Sequence, residues 1–148
     1  MILVQHILED ARQRLAVLSQ EAPVCDAAEI LGNAKTPLVV VCDSDGIAVG
    51  VVSKTDIVKA FSRARDDAHK LNTGAIMTKA VFSCHADETL QSLWTTVGER
   101  RLRCTPVLDY SGKPLGIVHA RDIARALLNE VTYEEELLRD YVLGIGYQ

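Results

Sequence analysis

Two short segments hold most of the chemistry this sequence offers. They are Gly50-Val51-Val52-Ser53-Lys54-Thr55-Asp56 and Gly116-Ile117-Val118-His119-Ala120-Arg121-Asp122. Each reads as an apolar strand that turns into a helix. The first N–H groups of a helix carry partial positive charge and bind anions. Ser53 adds a hydroxyl donor there, and Lys54 and Arg121 add full positive charge. Asp56 and Asp122 offer carboxylates able to accept two hydrogen bonds from a vicinal diol such as a ribose. Each charge-assisted bond of that kind contributes roughly 1.5–3 kcal/mol. Phosphate donors beside a diol acceptor make a nucleotide-shaped arrangement.

A ligand-free reading stands beside this one. Ser53-x-x-Asp56 also fits a capping box, with Ser as the N-cap and an acid at the third helical position. The second segment weakens that reading, because His119 is a poor N-cap and yet Asp122 is present. Arg121 in a first helical turn opposes the helix dipole unless an anion sits there, and Lys54 does the same in the first segment. The two segments together point to a ligand role for both aspartates.

The elements that position these residues occur twice. A shift of 66 residues lays Gly50 on Gly116, Asp56 on Asp122, Gly46 on Gly112 and Asp43 on Asp109 without a gap. The same shift lays the apolar helix face Val24, Ala27, Ala28, Leu31 on Leu90, Leu93, Trp94, Val97. Each copy reads as a short strand (Arg14–Leu18, then Ala80–Cys84), a helix of 3.6-residue period, an apolar strand, a turn, a second strand and a closing helix. The apolar strands are Leu38–Cys42 and Cys104–Leu108. The turns, Asp43–Gly46 and Asp109–Gly112, use Asp for tight geometry and Gly for positive φ. The second strands are Val49–Val52 and Leu115–Val118, and the closing helices begin near Asp56 and Asp122. Pro106 falls opposite Val40, a position suited to a strand start or a sheet edge.

Unbroken apolar strands such as Leu38–Cys42 imply packing on both faces. One copy alone is too small for a stable core. The expected fold is therefore α/β (α+β): two β-α-β-β-α units related by a pseudo-twofold, their sheets packed together and their helices outside. The boundaries read as 1–66 for the first unit, 67–73 for a linker, 74–131 for the second unit and 132–148 for a C-terminal helix. The polar stretch around 62–73 is expected to prolong the first closing helix and then cross over. Thr132-Tyr133-Glu134-Glu135 reads as a capping box opening the C-terminal helix, with Leu137, Leu138, Tyr141 and Val142 on its apolar face.

Composition narrows the function. The chain has 148 residues, 48% hydrophobic and 24% charged, with a formal net charge of -4. That balance argues against a phosphate-backbone reader, so no nucleic-acid partner is expected. No apolar run reaches the roughly 18 residues of a membrane span, and no basic leader opens the chain. The four cysteines, Cys25, Cys42, Cys84 and Cys104, form no C-x-x-C pair and read as small core residues in a reducing cytoplasm. Cys84-His85 has no orienting carboxylate or second ligand pair in a recognisable spacing. With no Ser-His-Asp signature and no Gly-rich P-loop, no enzyme and no metal site are expected.

The duplicated pattern resembles the tandem CBS domain, or Bateman module. Its junction signature G-h-x-[ST]-x-x-D is met in full by Gly50–Asp56, and by Gly116–Asp122 apart from His119. Ile76-Met77-Thr78 looks like the short helical turn that precedes many such repeats, with Ile7-Leu8 as its counterpart. The resemblance implies a cytoplasmic sensor that binds an adenine nucleotide (AMP, ADP, ATP or NAD) in clefts between the repeats, with no obligatory cofactor. By that carry-over Asp56 and Asp122 hold ribose hydroxyls, and Ser53, Lys54 and Arg121 meet phosphate. Val17 and Ser83 lie where the family contacts adenine. His119 departs from the signature and would weaken phosphate binding or make it pH-dependent. The chain looks similar to stand-alone CBS pairs, which form homodimers and act on an effector protein. Trp94 and the C-terminal helix are the candidate interface elements, and a plain core role for Trp94 is equally open. The alternative is a ligand-free scaffold whose dimerisation is the function.

Overall fold

The computed structural model describes residues 1–146. A 3-10 turn (Val4–Ile7) leads into α1 (Leu8–Gln13), β1 (Val17–Ser19) and α2 (Val24–Leu31). Then come β2 (Val39–Cys42), β3 (Ala48–Val52) and α3 (Lys54–Ala64). A second 3-10 turn (Arg65–Lys70) and α4 (Thr73–Ile76) cross to the second repeat. That repeat holds α5 (Leu90–Arg100), β4 (Cys104–Leu108), β5 (Pro114–His119) and α6 (Ala120–Gly146).

The first sheet runs β1-β2-β3, with β1 parallel and β3 antiparallel to β2. The second is the β4-β5 hairpin. Alternate residues of each strand face opposite ways, which explains the unbroken apolar runs. Val39, Val41 and Val52 pack toward α2 and α3. Val40, Cys42 and Val51 pack instead against Ile117 of the second sheet, so the sheets meet face to face. Val107 and Val118 turn the other way, onto Leu90, Leu93, Val97 and Ile123. Gly46 and Gly112 both take positive φ, 82° and 93°. Asp43 and Asp109 each accept two backbone N–H bonds within their turns. The two turns touch, through Ala48 N–H donating to the Gly112 carbonyl at 2.9 Å.

The two repeats also exchange their leading segments. Gly116 of β5 lies against Ala11 of α1, so close that a Cβ would stand 2.8 Å from the Ala11 carbonyl carbon. Gly50 of β3 lies in the same way against Met77 and Thr78, just beyond α4. This mutual crossing places the start of each repeat over the junction of the other.

Three expectations change. The segment Ala80–Cys84 is not a strand, and only Cys84 bridges to Val107. In the first repeat Val40 N–H donates to the Ala16 carbonyl at 2.9 Å. The equivalent residue is Pro106, which has no N–H. The Phe82 carbonyl accepts from the Thr105 hydroxyl instead, at 3.3 Å. The first strand is also shorter than Arg14–Leu18, because Arg14 caps the C-terminus of α1. Secondly, Thr132 does not open a helix. It lies inside α6, which continues unbroken from Asp122 past the body of the fold. Tyr147 and Gln148, the end of the expected C-terminal helix, lie outside the described residues. Thirdly, Cys25 is exposed, whereas Cys42 and Cys84 are buried and Cys104 is partly so. The linker does continue α3, but as a 3-10 turn after a break at Arg65 (φ 51°).

Candidate functional site

The junction of the first repeat closes as a capping box. Ser53 Oγ accepts from Asp56 N–H at 3.3 Å, and Asp56 Oδ2 accepts from Ser53 N–H at 2.9 Å. The other carboxylate oxygen accepts from the Thr78 hydroxyl at 3.2 Å, so Asp56 also ties the two repeats together. In the second repeat His119 performs the cap. Its Nδ1 accepts the Arg121 N–H at 3.1 Å, which corrects the expectation that His serves poorly there. That bond requires Nδ1 unprotonated. Burial, and then the neighbouring Arg121, lower the imidazole pKa below its ordinary value, with Asp122 opposing.

Asp122 is only 8% exposed. Its Oδ2 is shut from solvent and stands 2.5 Å from Arg14 Nη1, a charge contact without hydrogen-bond alignment. The same guanidinium lies 3.4 Å from the Ile117 carbonyl. The pseudo-equivalent of Arg14 is Ala80, so Asp56 has no such partner.

A cleft of about 810 Å³ opens between the two junctions. Pro37 and Arg103, Leu38 and Cys104, Ser53 and His119, and Thr55 and Arg121 all line it. Each of these pairs is related by the 66-residue shift, so the cleft straddles the pseudo-twofold. Its basic side chains are Arg14, Lys35, Lys54, Arg103 and Arg121, against one acid, Asp10. Such a surplus in a concave site focuses positive potential and attracts a multiply charged anion. The volume falls in the range of small-molecule sites.

Of the residues singled out in the sequence, the cleft gathers Ser53, Lys54, His119 and Arg121. It does not gather the rest. Asp122 lies behind Arg14, and Asp56 is turned into its own cap and toward Thr78. Val17 is 44% exposed on the edge strand β1 and does not line this cleft. Ser83 borders a separate gap of about 90 Å³, too small for a nucleotide. Sequence reasoning missed Arg14, Lys35 and Arg103. In the repeat register Arg14 falls on Ala80 and Arg103 on Pro37, so symmetry does not flag them, and Lys35 falls on Arg101, a basic pair outside the junction motif.

The Cys84-His85 pair is not a reactive site. Burial pushes the Cys84 thiol up to about 12. His85 is held by the Leu108 carbonyl, 2.8 Å from its Nδ1, and stacks on Tyr110. Among the described residues no group of three His, Cys, Asp or Glu could hold a metal ion. No described helix is long and apolar enough to cross a membrane.

The CBS domain profile matches residues 5–63 and 74–129. The chain belongs to the CBS domain family. An uncharacterised 17.7 kDa protein of Acidianus ambivalens is 29% identical over 136 residues, covering 92% of this chain and 81% of that one. The CBS-pair protein CBSX2 from Arabidopsis thaliana superposes with a TM-score of 0.71 at 26% identity, covering 88% of this chain and 97% of its own. CBSX2 in complex with AMP gives 0.72 at 26% identity, with 87% and 98% covered. The gamma-3 subunit of pig 5'-AMP-activated protein kinase is 24% identical over 120 residues. This CBS chain spans 77% of its own length in that match but only 23% of the kinase subunit. It likewise spans 19% of the L-aspartate semialdehyde sulfurtransferase of Methanocaldococcus jannaschii.

Proposed function

We propose that this CBS pair is a non-catalytic regulatory module that binds a phosphate-bearing adenine nucleotide (AMP, ADP, ATP or NAD) in its on-axis cleft. The observation that carries this reading is the convergence of five cations from both repeats on one cavity that holds a single acid. Ser53 and Thr55 add hydroxyl donors beside the helix starts. The AMP complex of CBSX2, on the same fold, supports the same ligand class. Four free cysteines suit a reducing compartment such as the cytoplasm.

The nucleotide signal passes through a homodimer to an effector protein. Support comes from the far half of α6, where Val131, Leu138, Tyr141 and Val142 are all exposed. Leu127, Val131, Glu134, Leu138 and Tyr141 keep a 4-3-4-3 spacing, the seam of a helix that pairs with another. This seam continues the face on which Leu127 packs into the body. The arm is acidic, with Glu134, Glu135, Glu136 and Asp140 against Arg139. It suits the groove of a second copy lined by Trp94, Leu102, Arg101 and Arg103. A truncation before Thr132 should leave the fold intact and give a monomer by light scattering. A dimer that survives the truncation would remove the arm from this role.

The test of ligand binding is the melting temperature with AMP, ATP, NAD and S-adenosylmethionine. A ligand at 100 times its Kd adds about 2.7 kcal/mol of stability. The Arg14–Asp122 contact favours a second reading, a ligand-free scaffold, because it offsets a buried carboxylate charge without a ligand. No shift with any of the four compounds would select the scaffold.

A further inference from the structure

We infer that Arg14 makes access to Asp122 conditional on phosphate, so that the second repeat selects nucleotides over nucleosides. This rests on the nucleotide reading above. Asp122 is the junction carboxylate of the second repeat, yet it does not line the cleft, whereas the guanidinium paired with it does. A diol can take both carboxylate oxygens of Asp122 only if Arg14 moves off Oδ2. Arg14 is four-fifths buried, and leaving it unpaired there is unfavourable.

The cleft provides somewhere for it to go. Arg14 shares the wall with His119, Arg103 and Arg121, where a phosphate would be bound. A ligand carrying both groups exchanges one ion pair for two contacts: the diol takes Asp122 and the phosphate takes the guanidinium, which matches it in a bidentate fork. A nucleoside offers only the diol and strands Arg14. The first repeat has no counterpart, because Ala80 stands where the arginine would be. The selection therefore belongs to one half of the molecule.

Calorimetric titration of AMP and adenosine tests this on the wild type and on Arg14→Gln, each with and without millimolar inorganic phosphate. In the wild type AMP should bind far more tightly than adenosine, and added phosphate should strengthen adenosine binding, since phosphate draws Arg14 off Asp122. In Arg14→Gln the preference for AMP should fall at least tenfold and the phosphate effect on adenosine should vanish. Should the Gln variant fail to fold, Arg14→Lys carries the test, with a preference reduced several-fold. An unchanged preference and an unchanged phosphate effect in a folded variant overturn the role of Arg14 while leaving nucleotide binding intact. A wild type that binds neither compound overturns both.

Discussion

The two repeats share one plan and differ where function would separate them. In the first, Asp56 is spent on its own cap and on Thr78, in a junction closed by Ser53. In the second, a histidine takes over the cap and Asp122 is buried under an arginine from the opposite repeat. The first keeps a three-stranded sheet, and the second has lost its leading strand at a single proline. The two halves share the glycines and turn aspartates, which the backbone demands. They differ in the polar groups around the cleft. Two similar halves have produced one asymmetric cleft.

The comparison is broken most severely at the crossing points. A Cβ at Gly116 meets the Ala11 backbone and Cβ within 2.9 Å, and α1 cannot yield without leaving β5. At Gly50 the nearest atoms, at 2.7 and 2.9 Å, belong to the flexible Met77 side chain, although the Thr78 carbonyl is also close. Gly116→Val should destabilise by about 3 kcal/mol and Gly50→Val by about 2 kcal/mol in urea unfolding. Equal losses would mean that the two crossings are equivalent.

The aspartates come next. Asp122→Asn breaks a buried ion pair, and with Arg14 able to reach cleft water the loss should be about 2–3 kcal/mol, below the roughly 3–5 kcal/mol of fully buried pairs. Asp56→Ala removes half of a capping box and should cost about 1 kcal/mol. The same unfolding curves give both values, and a reversed order would contradict the burial of Asp122.

A smaller effect separates Ser53 from His119. The folded pKa of His119 is lowered, first by burial and then by Arg121, Arg14 and Arg103, with Asp122 acting the other way. The unfolded chain therefore binds the proton more readily. The stability contributed by neutral His119 is complete above its unfolded value of about 6.5 and is lost as pH falls through the lowered folded value. Melting curves between about pH 7.5 and 5 should show this loss in the wild type and not in His119→Ser, which restores the first repeat's cap. Parallel curves would mean that the imidazole does not act as the cap.

The smallest effect is expected at Pro106. Pro106→Val returns the N–H that the Phe82 carbonyl lacks and should add about 0.5–1 kcal/mol while protecting that amide from exchange. A destabilised variant would show that proline suits this edge for another reason.

Much of this architecture was legible in the sequence, because it rests on local chemistry. The Asp and Gly turns, the apolar strands and the repeated helix faces each state their geometry within a few residues. Pro106 already held the reason for the lost strand, since a residue without an N–H cannot repeat the Val40–Ala16 bond. The continuous α6 was also signalled, since no Gly or Pro interrupts Ala120–Leu143 and a capping box alone does not start a helix. The cleft was only half legible. Ser53, Lys54, His119 and Arg121 follow from the junction motif, whereas Arg14, Lys35 and Arg103 arrive through tertiary crossing, which repeat symmetry conceals.

The most direct test of the cleft is calorimetric titration of ATP into the wild type and into Lys54→Ala/Arg121→Ala, which removes one cation from each repeat. Both side chains are exposed, so the fold should survive. Saturable binding by the wild type that weakens at least a hundredfold in the double variant is the predicted result. A double variant that binds ATP equally well, or a folded wild type that takes up none of ATP, ADP, AMP and NAD, would contradict the account.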